Sequence, residues 1–224
     1  VHKIITVGVD LTSSLECQKV AEKYPNIYFT AGFHPHEAKD AKAGYLKELE
    51  SICQHPKLVA IGESGLDFHY NHSDPEVQKK VFIEQLELGQ SLSLPIVVHS
   101  RNAEKDTITC ISSVPKSTGV IHCFSGTSQF AKNVLDINFY LSFTGLITFV
   151  PDLETIVQRT PLNKIMLETD CPYLAPTPYR GKKNEPSYIV AILNKIADLK
   201  NKTPDEIKRA TGNNASNLFY KLSN

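Results

Sequence analysis

The sequence predicts an α/β protein of the TIM (β/α)8 barrel class, in which buried strands alternate with amphipathic helices. Seven apolar runs of strand length recur along the 224 residues. They are rich in Val and Ile with little polar alternation, as expected for parallel strands covered by helices on both faces. The strict alternation leaves two architectures, a barrel and a doubly wound open sheet. No GxGxxG or GxxxxGKS/T motif follows any run, which disfavours an open nucleotide-binding sheet.

The predicted strands are the apolar runs themselves, each bounded by polar or turn-forming residues. In chain order they span Ile4–Val9, Ile27–Ala31, Leu58–Gly62, Pro95–His99, Gly119–His122, Phe139–Phe143 and Lys164–Glu168.

The predicted helices are the segments whose apolar residues recur at helical intervals. Asp74 and Pro75 form an N-cap and first-turn pair for the third helix, and Thr203 with Pro204 caps the last. In chain order the helices span Ser13–Tyr24, Gly44–Gln54, Glu76–Ser91, Ala103–Ser112, Ser128–Leu135, Asp152–Arg159, Pro186–Leu199 and Asp205–Leu222.

The composition narrows the classes of function. Lys plus Arg and Asp plus Glu both number 24, so a whole-surface electrostatic grip on nucleic acid is not expected, whereas a local basic patch remains open. Five scattered cysteines without a CxxC motif favour a reducing, cytoplasmic setting. No apolar run reaches the roughly 20 residues of a membrane span. Without a Pro/Gly/Ser-rich linker, residues 1–224 are expected to form one domain.

Polar, ligand-capable side chains stand at the carboxyl ends of most predicted strands. Glu63, His99, His122 and Asp170 each close or follow such a run. In a parallel barrel these ends meet at one mouth, where active sites lie, so two imidazoles and two carboxylates there predict a divalent-metal site. Taken singly, each residue also fits a cap or a hydrogen-bonded core histidine. Four such residues together favour the shared site.

Six segments resemble the TatD family of metal-dependent deoxyribonucleases, in order and across essentially the whole chain. These segments are Ala31–His36, Ile61–Phe68, Pro95–Arg101, His122–Gly126, Leu167–Pro176 and Pro178–Pro186. The resemblance implies a TIM barrel of the amidohydrolase-like hydrolases that cleaves phosphodiester bonds in DNA.

The resemblance also implies a role for each of the four residues. Glu63 would bridge two divalent cations (Mg, Mn or Zn), His99 and His122 would bind one of them, and Asp170 would bind the other and help to handle the nucleophilic water. Glu63 and Asp170 are therefore the expected catalytic residues. Two cations polarise a phosphodiester, lower the pKa of a bound water and stabilise the leaving oxygen.

The chain departs from the family pattern at its beginning. The family opens with a strand that ends in His-x-His, and nothing here matches that motif. The seven predicted strands are one short of eight, so we expect an incomplete barrel without the first strand and helix. We also expect residues upstream of Val1, or else a truncated chain whose second cation, left with Glu63 and Asp170, binds weakly.

Further residues are predicted to contact a DNA substrate. They are His34, Arg101, Tyr179, Arg180 and Lys182. Lys and Arg hold phosphates, and Tyr stacks on bases. A surface salt bridge for Arg101 and a solvated basic loop after the last strand are the alternatives.

The sequence leaves alternative functions open. A small-molecule amide or lactone hydrolase on the same barrel and a non-catalytic fragment are the alternative functions. A nucleophilic Cys171 is disfavoured because no Cys-His-Asn pattern accompanies it, and Glu168 is a candidate supporting residue behind the site. Neither a membrane nor a stable protein partner is implied.

Overall fold

A computed structural model describes residues 1–70 and 72–223. The chain divides into two compact units. The N-terminal unit comprises His2–Val120 together with the residues from Leu218 onward, and the C-terminal unit comprises Ile121–Asn217 together with Val1.

Seven strands lie within the described residues, as predicted. They are β1 (Ile4–Val7), β2 (Ile27–Ala31), β3 (Leu58–Asp67), β4 (Ile96–Arg101), β5 (Gly119–Ile121), β6 (Tyr140–Phe143) and β7 (Ile165–Leu167). The alternation of strands with helices confirms the predicted α/β class.

Eight α-helices are found in the same part of the chain. They are α1 (Leu11–Lys23), α2 (Tyr45–Cys53), α3 (Pro75–Leu92), α4 (Glu104–Ser113), α5 (Ser128–Asp136), α6 (Asp152–Arg159), α7 (Ile189–Lys200) and α8 (Pro204–Leu218). The Asp74 carboxylate caps α3 by accepting the amides of Glu76 and Val77, as predicted. The last helix ends at Leu218 rather than Leu222, because Tyr220–Ser223 form a 3-10 turn. No helix in the described ranges has both the length and the apolarity required to cross a bilayer.

The N-terminal unit is a parallel sheet in which β1, β2, β3 and β4 pair in chain order. β3 is buried along almost its whole length, which agrees with the expectation of strands covered on both faces. Its core contains Phe29, Leu58 and Ile61 from the strands and Phe82 and Leu86 from α3.

The third strand is longer than the sequence suggested. The prediction ended it at Gly62, but β3 continues to Asp67 and so carries Glu63 within the strand. Gly62 and Gly65 have φ values of 130° and 139°, and a Cβ atom at Gly62 would lie 2.6 Å from the Val97 carbonyl oxygen. Only glycine tolerates this backbone and this approach, so both residues let β3 follow β4 closely.

Two helices bury residues that their apolar pattern did not indicate. On α1 the apolar Leu15 and Val20 are 46% and 40% exposed, while Ser14 and Cys17 are buried. On α3 the apolar Val77 is also exposed. The buried face of α3 instead contains two polar side chains, Gln78 and Gln85.

The C-terminal unit packs helices around the parallel pair β6 and β7. The amide of Phe124, just after β5, donates to the Ser142 carbonyl on β6. The Glu168 amide, just after β7, donates to the Phe143 carbonyl. These bonds fix the residues that follow β5 and β7, where His122 and Asp170 lie.

Candidate metal centre

Three strand ends of the N-terminal unit carry the candidate ligands. His34 follows β2, Glu63 lies on β3 and His99 lies on β4. The amides of His34 and Glu63 donate to the carbonyls of Val9 and Gly8, which directly follow β1, at 2.9 Å. The backbone of all three candidates is therefore held by neighbouring strands.

The Glu63 carboxylate is the meeting point of two imidazoles. Its Oε1 atom lies 2.9 Å from Nδ1 of His99 and 3.4 Å from Nε2 of His34. The side chains are 12%, 20% and 12% exposed for Glu63, His99 and His34, so all three are mostly shielded from water. One ligand atom from each lies within 4.8 Å of the others, as required to hold a metal ion.

Asp67 is fully buried beneath these imidazoles and accepts four hydrogen bonds. Oδ2 contacts Nε2 of His99 at 3.1 Å and Nε2 of His36 at 3.0 Å. Oδ1 accepts the amides of His69 and Tyr70. Burial opposes ionisation, but the bonds from His99, Tyr70, His36 and His69 outweigh it and hold the pKa of Asp67 well below its usual range.

An ionised Asp67 can only accept hydrogen bonds, so His99 must donate from Nε2. In neutral His99 the Nδ1 atom then carries a lone pair that faces Glu63. Two acceptor atoms 2.9 Å apart are stable only when a positive charge lies between them, either a proton or a cation. A carboxylate behind a ligating histidine is the usual arrangement at metal sites, so the residues present fit a divalent cation.

His34 faces Glu63 with its Nε2 atom, whereas His99 faces it with Nδ1. The Nδ1 atom of His34 accepts the amide of His36 at 3.2 Å, which leaves the Nε2–H group directed at Glu63. Burial lowers the pKa of His34, and the hydrogen bond to Glu63 offsets this only in part. A neutral His34 with a fixed tautomer is suited to donate a hydrogen bond, which agrees with its predicted contact to substrate.

The C-terminal unit brings together a second group of candidates. Nδ1 of His122 lies 3.7 Å from Oε1 of Glu168, and the same oxygen accepts the amide of Cys123. The Glu168 carboxylate is therefore a charged neighbour of the His122 ring. Asp170 follows β7 with a φ of 54°, and its carbonyl accepts the amide of Tyr173. Burial raises the pKa of Cys123 to about 12, so this thiol is not a nucleophile at neutral pH.

Arg101 lies in an exposed aromatic and cationic surface of the N-terminal unit. Its guanidinium is 4.6 Å from the ring centroid of Tyr70, which His69 contacts edge-on at 4.6 Å and His72 stacks on at 5.8 Å. We call these four residues the Tyr70 patch. Tyr70 is 52% exposed, so its ring remains accessible.

The predicted basic loop of the C-terminal unit is built on aromatic contacts. Tyr179 stacks on Tyr188 at 3.8 Å, and Arg180 lies 3.7 Å above the ring of Phe149. Arg180 also donates to the Ala175 carbonyl at 3.1 Å. Lys182 is exposed. The sequence did not indicate Phe149 as the partner of Arg180, because the two residues lie 31 positions apart in the chain.

Sequence reasoning missed Asp67 as a functional residue, although it lies in one of the six family-like segments. An available signal was its spacing, since Asp67 stands four residues after Glu63 and so on the same side of an extended strand. That signal was lost because the predicted strand ended at Gly62.

Comparisons with known proteins agree with the motifs. A family model described as TatD related DNase matches residues 1–220. The chain is 39% identical over 223 residues to the uncharacterized metal-dependent hydrolase YabD of Bacillus subtilis, covering 98% of this chain and 88% of YabD. It is 34% identical over 231 residues to the 3′-5′ ssDNA/RNA exonuclease TatD of Citrobacter rodentium, covering 98% and 87%.

A solved structure shows the same architecture. The TatD homolog YjjV of Escherichia coli K12 matches with a TM-score of 0.92 and 28% identity, over 98% of this chain and 87% of YjjV. This likeness confirms the predicted TIM-barrel class.

Proposed function

The chain belongs to the TatD related DNase family of metal-dependent hydrolases, as its motifs predicted, and we propose that it hydrolyses phosphodiester bonds in DNA with a water activated by two divalent cations. The observation that carries the proposal is the position of His99, whose two ring nitrogens contact the carboxylates of Glu63 and Asp67. A carboxylate, an imidazole and a second, buried carboxylate in this order match a metal ligand pair with its orienting partner.

The proposed ligands are Glu63 and His99 among the residues of the N-terminal unit. Among the residues of the C-terminal unit they are His122 and Asp170. Glu63 would be the ligand that both cations share, because a carboxylate has two oxygens, whereas a neutral imidazole offers one lone pair. A set of imidazole and carboxylate ligands can bind Mg²⁺, Mn²⁺ or Zn²⁺.

Divalent cations at these donors supply charge stabilisation and lower the pKa of a coordinated water. Asp170 would be the carboxylate that takes up a proton from this water. The Nε2–H group of His34 lies beside Glu63 and would donate to a phosphate oxygen that took the place of this carboxylate as its acceptor, which would stabilise the charge that develops there. Asp67 keeps Nε2 of His99 protonated, so Nδ1 remains available as a donor atom.

Two features support a single-stranded nucleic acid as the substrate. The Citrobacter rodentium relative is named as a 3′-5′ ssDNA/RNA exonuclease. The Tyr70 patch combines an accessible ring with a guanidinium, which suits an unpaired base and its phosphate. In the basic loop, Tyr179, Arg180 and Lys182 are proposed to contact the DNA backbone.

A substrate panel tests this function. The purified chain is incubated with Mn²⁺ or Mg²⁺ and with single-stranded DNA, double-stranded DNA, RNA, an amide or a lactone. We expect EDTA-sensitive cleavage of DNA and none of the amide or lactone. Hydrolysis of the amide or lactone alone would favour a small-molecule hydrolase, and binding without any hydrolysis would indicate a non-catalytic chain.

A further inference from the structure

α3 places two buried glutamine side chains against the strands that carry the candidate ligands. Gln78 and Gln85 are 1% and 0% exposed. They are seven residues apart, which is about two helical turns, so both side chains leave the same face of α3.

Gln85 joins the two segments that carry His34 and Glu63. Its Oε1 atom accepts the Phe33 amide at 2.8 Å, and Nε2 donates to the Phe33 carbonyl at 3.1 Å and to Oγ of Ser64 at 2.7 Å. Phe33 immediately precedes His34, and Ser64 immediately follows Glu63. The Gln85 amide group therefore connects the backbone next to His34 to the side chain next to Glu63.

The space around Gln85 is closely fitted to this role. A Cβ atom at Gly32 would lie 2.8 Å from Oε1 of Gln85, so the amide packs directly on the strand backbone. The side chain bonds both polar groups of Phe33, as a neighbouring strand would. Only a carboxamide offers one acceptor atom together with two donor hydrogens, and asparagine is one methylene group too short to reach these partners.

Gln78 does the same for Asp67. Its Oε1 atom accepts the Asp67 amide at 2.8 Å, and Nε2 donates to the carbonyls of Asp67 and Ser73 at 3.0 and 2.8 Å. Gln78 therefore holds both the amide and the carbonyl group of Asp67, the residue that orients His99.

We propose that Gln85 and Gln78 are positioning residues of the metal centre, an inference that rests on the proposed function. Gln85 sets the separation between His34 and Glu63. Gln78 holds Asp67 where its carboxylate reaches His99. Both act through other residues, and neither contacts the candidate donor atoms itself.

The test compares Gln85→Leu, Gln78→Leu and the milder Ser64→Ala with a matched control, Asn214→Leu. Asn214 is a buried amide on α8 that donates to the carbonyls of Leu162 and Ile165 at 2.9 and 2.7 Å, neither of which borders a proposed ligand. Each variant is measured for thermal stability and, without nucleic acid, for Mn²⁺ affinity by calorimetry. The kcat and KM on single-stranded DNA are measured separately.

We expect Gln85→Leu and Gln78→Leu to weaken Mn²⁺ binding by about 10- to 100-fold. Ser64→Ala loses one hydrogen bond and should weaken it by about fivefold. Asn214→Leu should lower the melting temperature and leave the Mn²⁺ affinity unchanged.

Two results would overturn the inference. Either Mn²⁺ affinity stays at the wild-type value in folded glutamine variants, or it falls equally in Asn214→Leu, which would mean that it only follows stability. If Gln85→Leu does not fold, Ser64→Ala decides in the same way for Gln85. If Gln78→Leu does not fold, the shorter Gln78→Asn takes its place. Mn²⁺ binding without cleavage of DNA by the wild-type chain would sink the proposed function and leave this inference standing.

Discussion

The Nε2 atom of His99 lies 3.1 Å from Oδ2 of Asp67, a carboxylate that is completely buried. Because the hydrogen bonds to Asp67 hold its pKa low, the carboxylate remains an acceptor and fixes the proton on Nε2. The opposite ring atom is thereby directed at Glu63. The availability of His99 as a metal ligand depends on this pair.

Asp67→Asn is expected to weaken Mn²⁺ binding by about 10- to 100-fold. Donors face both oxygens of Asp67, and the asparagine replaces one of these oxygens with an NH₂ group that cannot accept. One pair of hydrogen bonds is therefore lost, and the His99 ring is no longer held in place. Calorimetric titration with Mn²⁺ measures the change. Asp74→Asn is the control, since asparagine caps a helix as well as aspartate does. Equal affinity in wild type and Asp67→Asn would contradict the role of the pair.

Tyr70→Leu is expected to raise the KM for single-stranded DNA by about tenfold and to leave kcat unchanged, because stacking on a base is worth roughly 1–3 kcal/mol. The control is Tyr24→Leu, which removes another exposed tyrosine with a lysine beside it. Steady-state kinetics with an oligonucleotide separates KM from kcat. A KM equal to that of the control would rule out the Tyr70 patch as a substrate contact.

Lys182→Ala is expected to lower the affinity for single-stranded DNA and to reduce the slope of log affinity against log salt by about 0.7, the value for one phosphate contact. Fluorescence anisotropy between low and moderate salt measures the slope. Lys19→Ala removes an exposed lysine from α1 and serves as the control. An unchanged slope in Lys182→Ala would place this lysine outside the nucleic-acid contact.

The buried Cys53 thiol is expected to make the chain less stable at alkaline pH. Burial raises its pKa from 9.0 to about 12, so above pH 9 the unfolded thiol loses its proton while the folded one keeps it. The free energy of unfolding then falls by up to about 1.4 kcal/mol per pH unit between these two values. Urea unfolding at pH 8 and pH 10 should show a smaller drop for Cys53→Ala than for Cys171→Ser, the exposed control. Equal drops would refute the assignment.

Much of the fold could be predicted from local sequence, because apolar runs and helix caps are local signals. The Asp74 cap and the seven strands follow directly from them. The burial of α3 could not be predicted in the same way. Gln78 and Gln85 read as solvent-facing polar residues, and their burial makes sense only once the amide and carbonyl groups of Phe33 and Asp67 are placed beside them.

The same distinction between local signals and distant contacts applies to the candidate site. The residue types at strand ends identified Glu63, His99, His122 and Asp170 as candidates, and they remain the proposed ligands. The orienting role of Asp67 depends on its contact with His99 on a separate strand, which no spacing encodes. Asp10, another polar residue at a strand end, instead caps α1 by accepting the Ser13 amide.

Whether the proposed ligands are needed for catalysis is decided by the hydrolysis of end-labelled single-stranded DNA in the presence of Mn²⁺ by wild type, Glu63→Gln and His122→Ala. Melting temperatures confirm that each variant is folded. We expect wild type to cleave and each substitution to lower kcat by at least about 100-fold, since ligand loss disrupts water activation. A folded Glu63→Gln variant that cleaves at the wild-type rate would contradict this expectation.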